Sequence, residues 1–170
     1  KLVRHTLPET LRLQLLLDAT PVPCKLDAHQ FQNALLNLIL NAKDATESRG
    51  HISVHCSARS VNAALAEKIN LSAGEYACIS VRDDGCGMDS ATRTRVFEPF
   101  FTTKPPGQGS GLGMSMVYGF ARQSGGSVDV CSEPGKGTQV TLWLPTHAQI
   151  APPALPAHAP ALASPQRFEG

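Results

Sequence analysis

Glycine is distributed very unevenly along this chain, and its placement limits the folds that the chain can adopt. Eleven of the 14 glycines lie between Gly85 and Gly137, in a chain of 170 residues. Glycine destabilises the interior of a helix, and it permits tight turns and close backbone contacts. The clustering therefore argues against a plain all-helical domain. It predicts tight turns in this stretch, where the backbone lies close to other groups.

Composition and charge narrow the class of protein. Hydrophobic residues make up 42% of the chain, and 15 Lys and Arg balance 14 Asp and Glu, for a net charge of +1. Such a chain folds, and its bulk charge does not attract nucleic acid. No apolar run approaches the roughly 20 residues that span a bilayer. Five cysteines without a C-x-x-C pair are typical of reduced thiols in a cytoplasmic protein. We expect a cytoplasmic domain that contacts neither nucleic acid nor membrane.

Three segments are predicted along the chain. Residues 1–8 are interpreted as the remainder of a linker from an upstream domain, and residues 9–145 as one folded domain. After Pro145 the periodic pattern ends, and 12 of the last 24 residues are Ala or Pro. Residues 146–170 are therefore predicted to form an extended linker or tail.

Periodicity within residues 9–145 predicts a mixture of strands and helices. Strands are expected over residues 9–18, 52–61 and 76–82, with a closing hairpin of residues 127–132 and 138–144. Helices are expected over residues 29 to about 48, 90–97 and 112–124, with N-caps at Asp27 and at Asp89 or Ser90, and ends at Gly50 and Gly125. Residues 98–110 are expected to form a loop. This order predicts an α/β two-layer sandwich, with a mixed, mostly antiparallel sheet covered by helices on one face.

The first predicted helix carries an unusual strip of amides. At 100° per residue, the polar side chains Gln30, Asn33, Asn37, Asn41 and Asp44 fall within an arc of about 80°, and most of the remaining surface is apolar. A solvated face is one explanation, but such faces usually carry Lys, Glu and Arg, which favour the helix more than Asn does. The amide oxygen of Asn is also a ligand that Mg²⁺ accepts beside phosphates.

An acidic turn follows the third predicted strand. Asp83 stands at the strand end, and Gly85 and Gly87 follow it at alternate positions. A carboxylate there can accept a hydrogen bond from an exocyclic amine such as that of adenine, and the glycines let the backbone approach a flat ligand. A hairpin turn is the alternative explanation.

A glycine-rich loop precedes the last predicted helix. Gly107, Gly109, Gly111 and Gly113 alternate with other residues directly before this helix. Free backbone N–H groups and a helix N-terminus together form an anion site, although a merely flexible loop is the alternative. Just upstream, Thr102-Thr103-Lys104 adds two hydroxyls and one cation, which suit phosphate groups.

Taken in order, these motifs resemble the sequence boxes of sensor histidine kinases. Asn37–Ala45 resembles the N box, Asp83–Met88 the G1 box, Val96–Lys104 the F box, Gly107–Gly113 the G2 box and Gly135–Thr138 the G3 box. The resemblance covers residues 9–145. It implies the Bergerat ATP-binding fold of the GHKL superfamily, which gyrase-type ATPases, Hsp90 chaperones and mismatch-repair ATPases share, with ATP and Mg²⁺ as cofactors.

The resemblance also implies roles for the matching residues. Asp83 would accept a hydrogen bond from the adenine amino group, Thr138 would lie beside the adenine, and Asn41 would bind Mg²⁺. Residues 98–113 would form a lid over ATP, its base held against the core by Phe97, Phe100 and Phe101. The other residues expected around the nucleotide are Lys43, Asp44, Gly85, Gly87, Thr102, Thr103, Lys104, Gly109, Gly111, Leu112 and Gly113.

One position separates the branches of this superfamily. The ATP-hydrolysing relatives carry a glutamate four residues before the metal-binding asparagine, where it acts as a base toward water, and this chain has Asn37 there. An amide takes no proton at pH 7, whereas phosphoryl transfer to a presented nucleophile needs mainly positioning. The chain is therefore interpreted as a histidine kinase domain, with Asn37 and Asn41 as catalytic residues. An ATP-hydrolysing relative and a catalytically silent nucleotide-binding regulatory module are the alternatives.

No histidine of this chain suits the phosphoacceptor role that the resemblance implies. His5 lacks an acidic neighbour and is followed by Pro8, while His29 begins a helix and His51 and His55 lie in a strand. The acceptor is therefore expected on a dimerisation domain of the same parent protein, whether that parent is membrane-bound or soluble. A response-regulator receiver domain, separate or fused, is the further partner expected in a two-component phosphorelay.

Overall fold

The computed structural model describes residues 7–47 and 49–147, and these ranges form five strands and four helices. The strands are β1 Leu11–Leu17, β2 Gly50–Val61, β3 Gly74–Asp83, β4 Ser127–Glu133 and β5 Gly137–Pro145. The helices are α1 Ala28–Ala45, α2 Ala63–Ile69, α3 Ser90–Arg95 and α4 Gly113–Gln123. The predictions for residues 1–6 and 148–170 lie outside the described residues. Within the described ranges, no helix is long and apolar enough to cross a membrane.

The strands form one mixed sheet in the order β1-β2-β3-β5-β4. β1 runs parallel to β2, and the other three neighbouring pairs are antiparallel, which confirms the predicted mixed, mostly antiparallel sheet. In this register Asp83, the last residue of β3, faces Thr138 near the start of β5. The acidic turn and the closing hairpin therefore meet at the same end of the sheet.

The main core lies between the sheet and the pair of helices α1 and α4. Ile52, Val117, Leu142 and Leu144 have the largest fully buried side chains, and they come from the sheet and from α4. Strand residues alternate between the two faces of a sheet, so β2, β3 and β5 each place every second residue under the helices, and most of these residues are apolar. The rings of Phe31 on α1 and Phe120 on α4 join the two helices, with centroids 6.1 Å apart. This packing fixes α1 beside the end of the sheet that carries Asp83.

The short helix α2 has no counterpart among the predicted elements. Its buried residues Ala66 and Ile69 form a second, small cluster with Val61 and Tyr76, and Trp143 packs against it. The strand residues of this cluster alternate to the face opposite α1 and α4. A seven-residue helix shows barely two turns of periodicity, so the sequence pattern did not reveal it.

The predicted helix boundaries are partly correct. Asp27 caps α1 as expected, because its carboxylate accepts the backbone N–H groups of His29 and Gln30. The prediction that Gly50 ends this helix is wrong, since α1 stops at Ala45 and Gly50 begins β2. The hydroxyl of Thr46 donates to backbone oxygens of the last turn, which supplies partners for carbonyls that the helix leaves free.

Candidate nucleotide-binding site

A cavity of about 760 Å³ opens where α1, the end of β3, the start of β5 and residues 98–113 converge. Asp83 and Thr138 come from the sheet, Asn41 comes from α1, and Lys104 comes from the loop. A smaller cavity of about 360 Å³ lies beside Tyr76 and Arg122 and contains none of the predicted nucleotide residues. The larger cavity is therefore the candidate site.

Asp83 supplies a buried carboxylate to this cavity. The residue is only 6% exposed, and its Oδ1 accepts the backbone N–H of Gly85 at 2.9 Å. Burial raises the pKa of the Asp83 carboxyl, the backbone N–H groups of Gly85 and Thr138 counteract that rise, and nearby Asp84 adds to it. The result is an acceptor held in a fixed direction by the backbone, which suits an amine donor.

The turn after Asp83 requires glycine at position 87. Gly87 has φ +67, and a Cβ there would lie 1.9 Å from the backbone oxygen of Glu133. Backbone hydrogen bonds tie this turn to its neighbours, from the N–H of Cys86 to the oxygen of Ala45 and from the N–H of Gly135 to the oxygen of Cys86. The G1-like and G3-like motifs thus pack directly against each other and against the end of α1.

The amide strip of α1 faces the cavity. Asn37, Asn41 and Asp44 line it, and they lie one turn apart along the same helix face. Two amide oxygens and one carboxylate are the hard donors that Mg²⁺ accepts beside phosphate oxygens, so the residues present fit this ion. Lys43 points away from this strip, because it follows Asn41 by two positions and such residues lie about 200° apart around a helix.

Residues 98–113 form a loop over the mouth of the cavity. The N–H of Phe100 donates to the oxygen of Gly111 at 2.9 Å, which closes the base of the loop. Gly111 has φ +67, and a Cβ there would lie 2.4 Å from the carbonyl carbon of Phe100. The ammonium of Lys104 pairs with the carboxylate of Asp44 and joins the loop to α1. The loop ends at Gly113, the first residue of α4, so the N-terminus of α4 opens toward the cavity.

The three phenylalanines at the base of this loop have different environments. Phe97 packs against the main core and stacks near Tyr118, with ring centroids 5.7 Å apart. Phe101 lines the cavity, and the guanidinium of Arg95 lies 4.5 Å from its ring centroid. Phe100 is 75% exposed, so the prediction that it holds the loop against the core is wrong. Its φ of 67° lies in the left-handed region, which residues other than glycine rarely adopt.

Comparison with known families decides what kind of site this is. The family model described as histidine kinase-, DNA gyrase B- and HSP90-like ATPase matches residues 26–148. The chain belongs to this family. The match includes every residue assigned above to the cavity, and ATP is the ligand that the name of the family specifies.

Two relatives of this histidine kinase-like ATPase domain are sensor kinases. The chain is 42% identical over 126 residues to sensor kinase CckA of Brucella abortus, a match that covers 72% of the chain and 13% of CckA. It is 34% identical over 137 residues to sensor histidine kinase ZraS of Escherichia coli K12, covering 81% of the chain and 26% of ZraS. The chain thus spans 13% and 26% of the length of these two proteins, and the family match identifies it as a histidine kinase-like ATPase domain.

Solved structures agree on the fold. The mycobacterial sensor histidine kinase MprB superposes with a TM-score of 0.65 at 24% identity, over 85% of this chain and 87% of that chain. Full-length ShkA, solved in complex with AMPPNP, gives a TM-score of 0.63 at 24% identity, over 80% of this chain and 26% of that chain. These likenesses confirm the predicted Bergerat fold.

The structure brings most of the predicted site residues of this ATPase domain together. Those that line the cavity are Asn37, Asn41, Asp44, Asp83, Gly87, Thr102, Thr103, Lys104, Gly109, Gly111, Gly113 and Thr138. Lys43, Gly85 and Leu112 are not among its lining residues. Sequence reasoning missed the apolar lining, which includes Val81, Met88, Met114 and Val140. Strand alternation could have found Val81, which lies two residues before Asp83 and on the same face.

Proposed function

We propose that this domain binds Mg·ATP and transfers the γ-phosphoryl group to a histidine on a separate dimerisation domain, without hydrolysing ATP efficiently. The observation that carries this proposal is the position of Asn37, one helical turn from Asn41 and on the lining of the same cavity. At that position the hydrolysing relatives carry a glutamate that activates water. An amide cannot take the proton from water, so the γ-phosphoryl group is kept for an acceptor that docks.

Each side of the cavity has a distinct task in this proposal. Asp83 and Thr138 would hold the adenine ring. Asn41 would hold Mg²⁺, which would supply positive charge to neutralise the phosphates. The loop glycines and the N-terminus of α4 present backbone N–H groups to the phosphates, and Lys104 adds a cation at the mouth. Positioning and charge neutralisation are the main requirements of phosphoryl transfer, so no general base is needed on this chain.

The proposed partner needs a surface beside the cavity. Phe100 at the base of the loop and Met116 and Tyr118 on α4 are large apolar side chains that stay exposed. Exposed apolar side chains next to a ligand cavity favour docking by another protein surface. We assign this region to the histidine-bearing dimerisation domain of the parent protein. A response-regulator receiver domain then takes the phosphoryl group from that histidine, and the supply of ATP places these steps in the cytoplasm.

The test uses ATP labelled at the γ-phosphate, mixed with this chain and the purified dimerisation domain of its parent. The wild type is expected to label the histidine domain and to release little inorganic phosphate. Asn41→Ala should abolish Mg²⁺-dependent labelling, because the metal loses its protein ligand. Asn37→Glu should raise phosphate release, because a carboxylate then stands where water is activated.

Asn33→Glu is the matched control for the second variant. It places the same new charge one turn earlier on the same strip, outside the residues that line the cavity. Phosphate release by this control should equal that of the wild type. Rapid phosphate release by the wild type, with no labelled histidine, would show an ATP-hydrolysing relative instead. Binding of ATP with neither outcome would indicate a silent regulatory module.

A further inference from the structure

Ser132 on β4 connects two segments at the end of the cavity where Asp83 and Thr138 lie. Its side chain is buried, and the residue is 4% exposed. The backbone N–H of Met88 donates to its Oγ at 2.8 Å, and its Oγ donates to the backbone oxygen of Gly137 at 3.0 Å. The Oγ1 of Thr138 lies 2.8 Å from the same atom. Ser132 itself is not among the lining residues, so it acts on the cavity only through its neighbours.

The proton count at Ser132 determines the direction of each hydrogen bond. A serine hydroxyl has one proton and two acceptor positions. The carbonyl of Gly137 can only accept, so it takes the proton of Ser132, and the N–H of Met88 occupies one acceptor position. All three contacts can then form together only if the hydroxyl of Thr138 donates to the remaining acceptor position of Ser132.

This arrangement fixes the polarity of Thr138 toward the cavity. With its proton directed at Ser132, the Thr138 oxygen has only lone pairs left for a ligand. Asp83 faces Thr138 across the β3–β5 pair, and its carboxylate is also an acceptor. Two neighbouring acceptors favour a ring edge that carries an amino group, and they disfavour a ring edge that carries a carbonyl oxygen.

We propose that Ser132 is a positioning residue that sets the preference of this site for adenine over 6-oxopurines, by holding the hydroxyl of Thr138 as an acceptor. The proposal rests on the proposed function, since it requires a nucleoside triphosphate in this cavity. The guanidinium of Arg93 on α3 donates to the backbone oxygen of Ser132 at 3.1 Å and helps to hold this part of β4 in place.

The experiment compares ATP with inosine triphosphate, which replaces the 6-amino group by a 6-oxo group. Affinities of both nucleotides for the full 170-residue chain are measured by calorimetry with Mg²⁺ present. Wild type should prefer ATP. Ser132→Ala frees the Thr138 hydroxyl to rotate and to donate, so the ratio of the two affinities should fall by about threefold to tenfold, the worth of one hydrogen bond. Ser132→Cys, which keeps the volume and weakens the hydrogen bonds, should lower the ratio if the alanine variant does not fold.

Two further variants separate positioning from simple support of the fold. Ser127→Ala removes an equally buried hydroxyl at the other end of β4 and should leave the ratio unchanged. On a Thr138→Val background, Ser132→Ala should have no further effect on the ratio. A parallel loss of both affinities in Ser132→Ala, at constant ratio, would overturn the proposal while leaving ATP binding intact. Failure of the wild type to bind ATP at all would instead overturn the proposed function, and this inference with it.

Discussion

At the scale of single residues, Asp83 combines two properties that usually conflict. The residue is almost fully buried, which disfavours the charged form, yet its carboxylate is expected to accept a hydrogen bond from a ligand. The backbone N–H groups of Gly85 and Thr138 offset part of the cost of burial. Asp83 therefore keeps a buried acceptor ready at the wall of the cavity.

Replacing this acceptor tests its role directly. Asp83→Asn should weaken ATP binding by about tenfold to a hundredfold, the range for loss of a hydrogen bond to a charged group. Asp84→Asn is the matched control, because the neighbouring carboxylate accepts the N–H of His51 and is not among the residues that line the cavity. Calorimetry gives both affinities, and thermal unfolding checks that both variants fold. Equal affinities in the two variants would remove Asp83 from the adenine-binding role.

The raised pKa of Asp83 also predicts a pH dependence. Burial disfavours its ionised form, so the folded chain keeps this proton to a higher pH than an unfolded aspartate, whose pKa is about 3.9. The proton stabilises the fold at low pH, and this contribution is lost as pH rises through the raised pKa. ADP binding needs the ionised form, so affinity should fall as pH drops from 7 toward that pKa.

Asp84 allows an internal check of this pH dependence. Its charge is one cause of the raised pKa of Asp83, so Asp84→Asn should shift the loss of ADP binding to lower pH. Calorimetric titrations of both proteins, from pH 7 down to the lowest pH at which both stay folded, measure the shift. Identical pH profiles would show that Asp83 does not control binding in this range.

At the scale of elements, the loop of residues 98–113 depends on one close backbone contact. Gly111 lies against the backbone of Phe100, and both residues have φ +67. Their hydrogen bond closes the base of the loop, while Lys104 joins its middle to α1. A half-exposed ion pair of this kind contributes at most about 1 kcal/mol. The backbone contact between Phe100 and Gly111 therefore has the larger influence on the shape of the loop.

Gly111→Ala is expected to disrupt the loop without unfolding the domain. The new Cβ would clash with the backbone of Phe100, and the positive φ would be strained as well, so ATP affinity should fall by about tenfold or more. Gly107→Ala is the matched control, because Gly107 has φ +83 with nothing within 4 Å of the added Cβ. Its affinity should stay within about threefold of the wild type. Similar losses in both variants would show that backbone conformation, and not the close contact, is responsible.

At the scale of the whole molecule, the shape of the cavity depends on the hydrophobic core. The residues that line the cavity would not come together without it. Asp83 and Thr138 face each other because β3 and β5 are neighbours, and these strands are held by apolar side chains packed under α1 and α4. Leu142 on β5 is 0% exposed, whereas Leu17 on the edge strand β1 is 71% exposed. A leucine therefore contributes strongly to the stability of the core in β5 and very little in β1.

This difference predicts very different costs for the same substitution. Leu142→Ala should lower the free energy of unfolding by about 2–5 kcal/mol, because it leaves a cavity in the core. Leu17→Ala should change it by no more than about 0.5 kcal/mol, as expected for an exposed position. Urea unfolding measures both values. A small cost for Leu142→Ala would mean that the core is centred elsewhere.

The elements and site residues differ in how far the sequence predicted them. The amide strip of α1 and the turn at Asp83 were predictable, because helical and strand periodicity act over a few neighbouring residues. Helix α2 was missed because its two turns carry little periodicity, and the end of α1 was misplaced because Thr46, rather than a glycine, caps it. Phe100 was misplaced because its left-handed backbone conformation depends on Gly111, eleven residues further along the chain.

The sequence by itself determined which chemical groups this domain has for a nucleotide, and the order in which they occur. It did so because acceptors, amides and glycines at short spacing offer the same chemical groups whatever the rest of the sequence is. Only the tertiary structure decided that Asp83 faces Thr138, that β1 pairs in parallel with β2, and that the hydroxyl of Ser132 meets that of Thr138. These contacts join distant segments, and their register is set by burying the apolar side of the whole sheet, which no local pattern records.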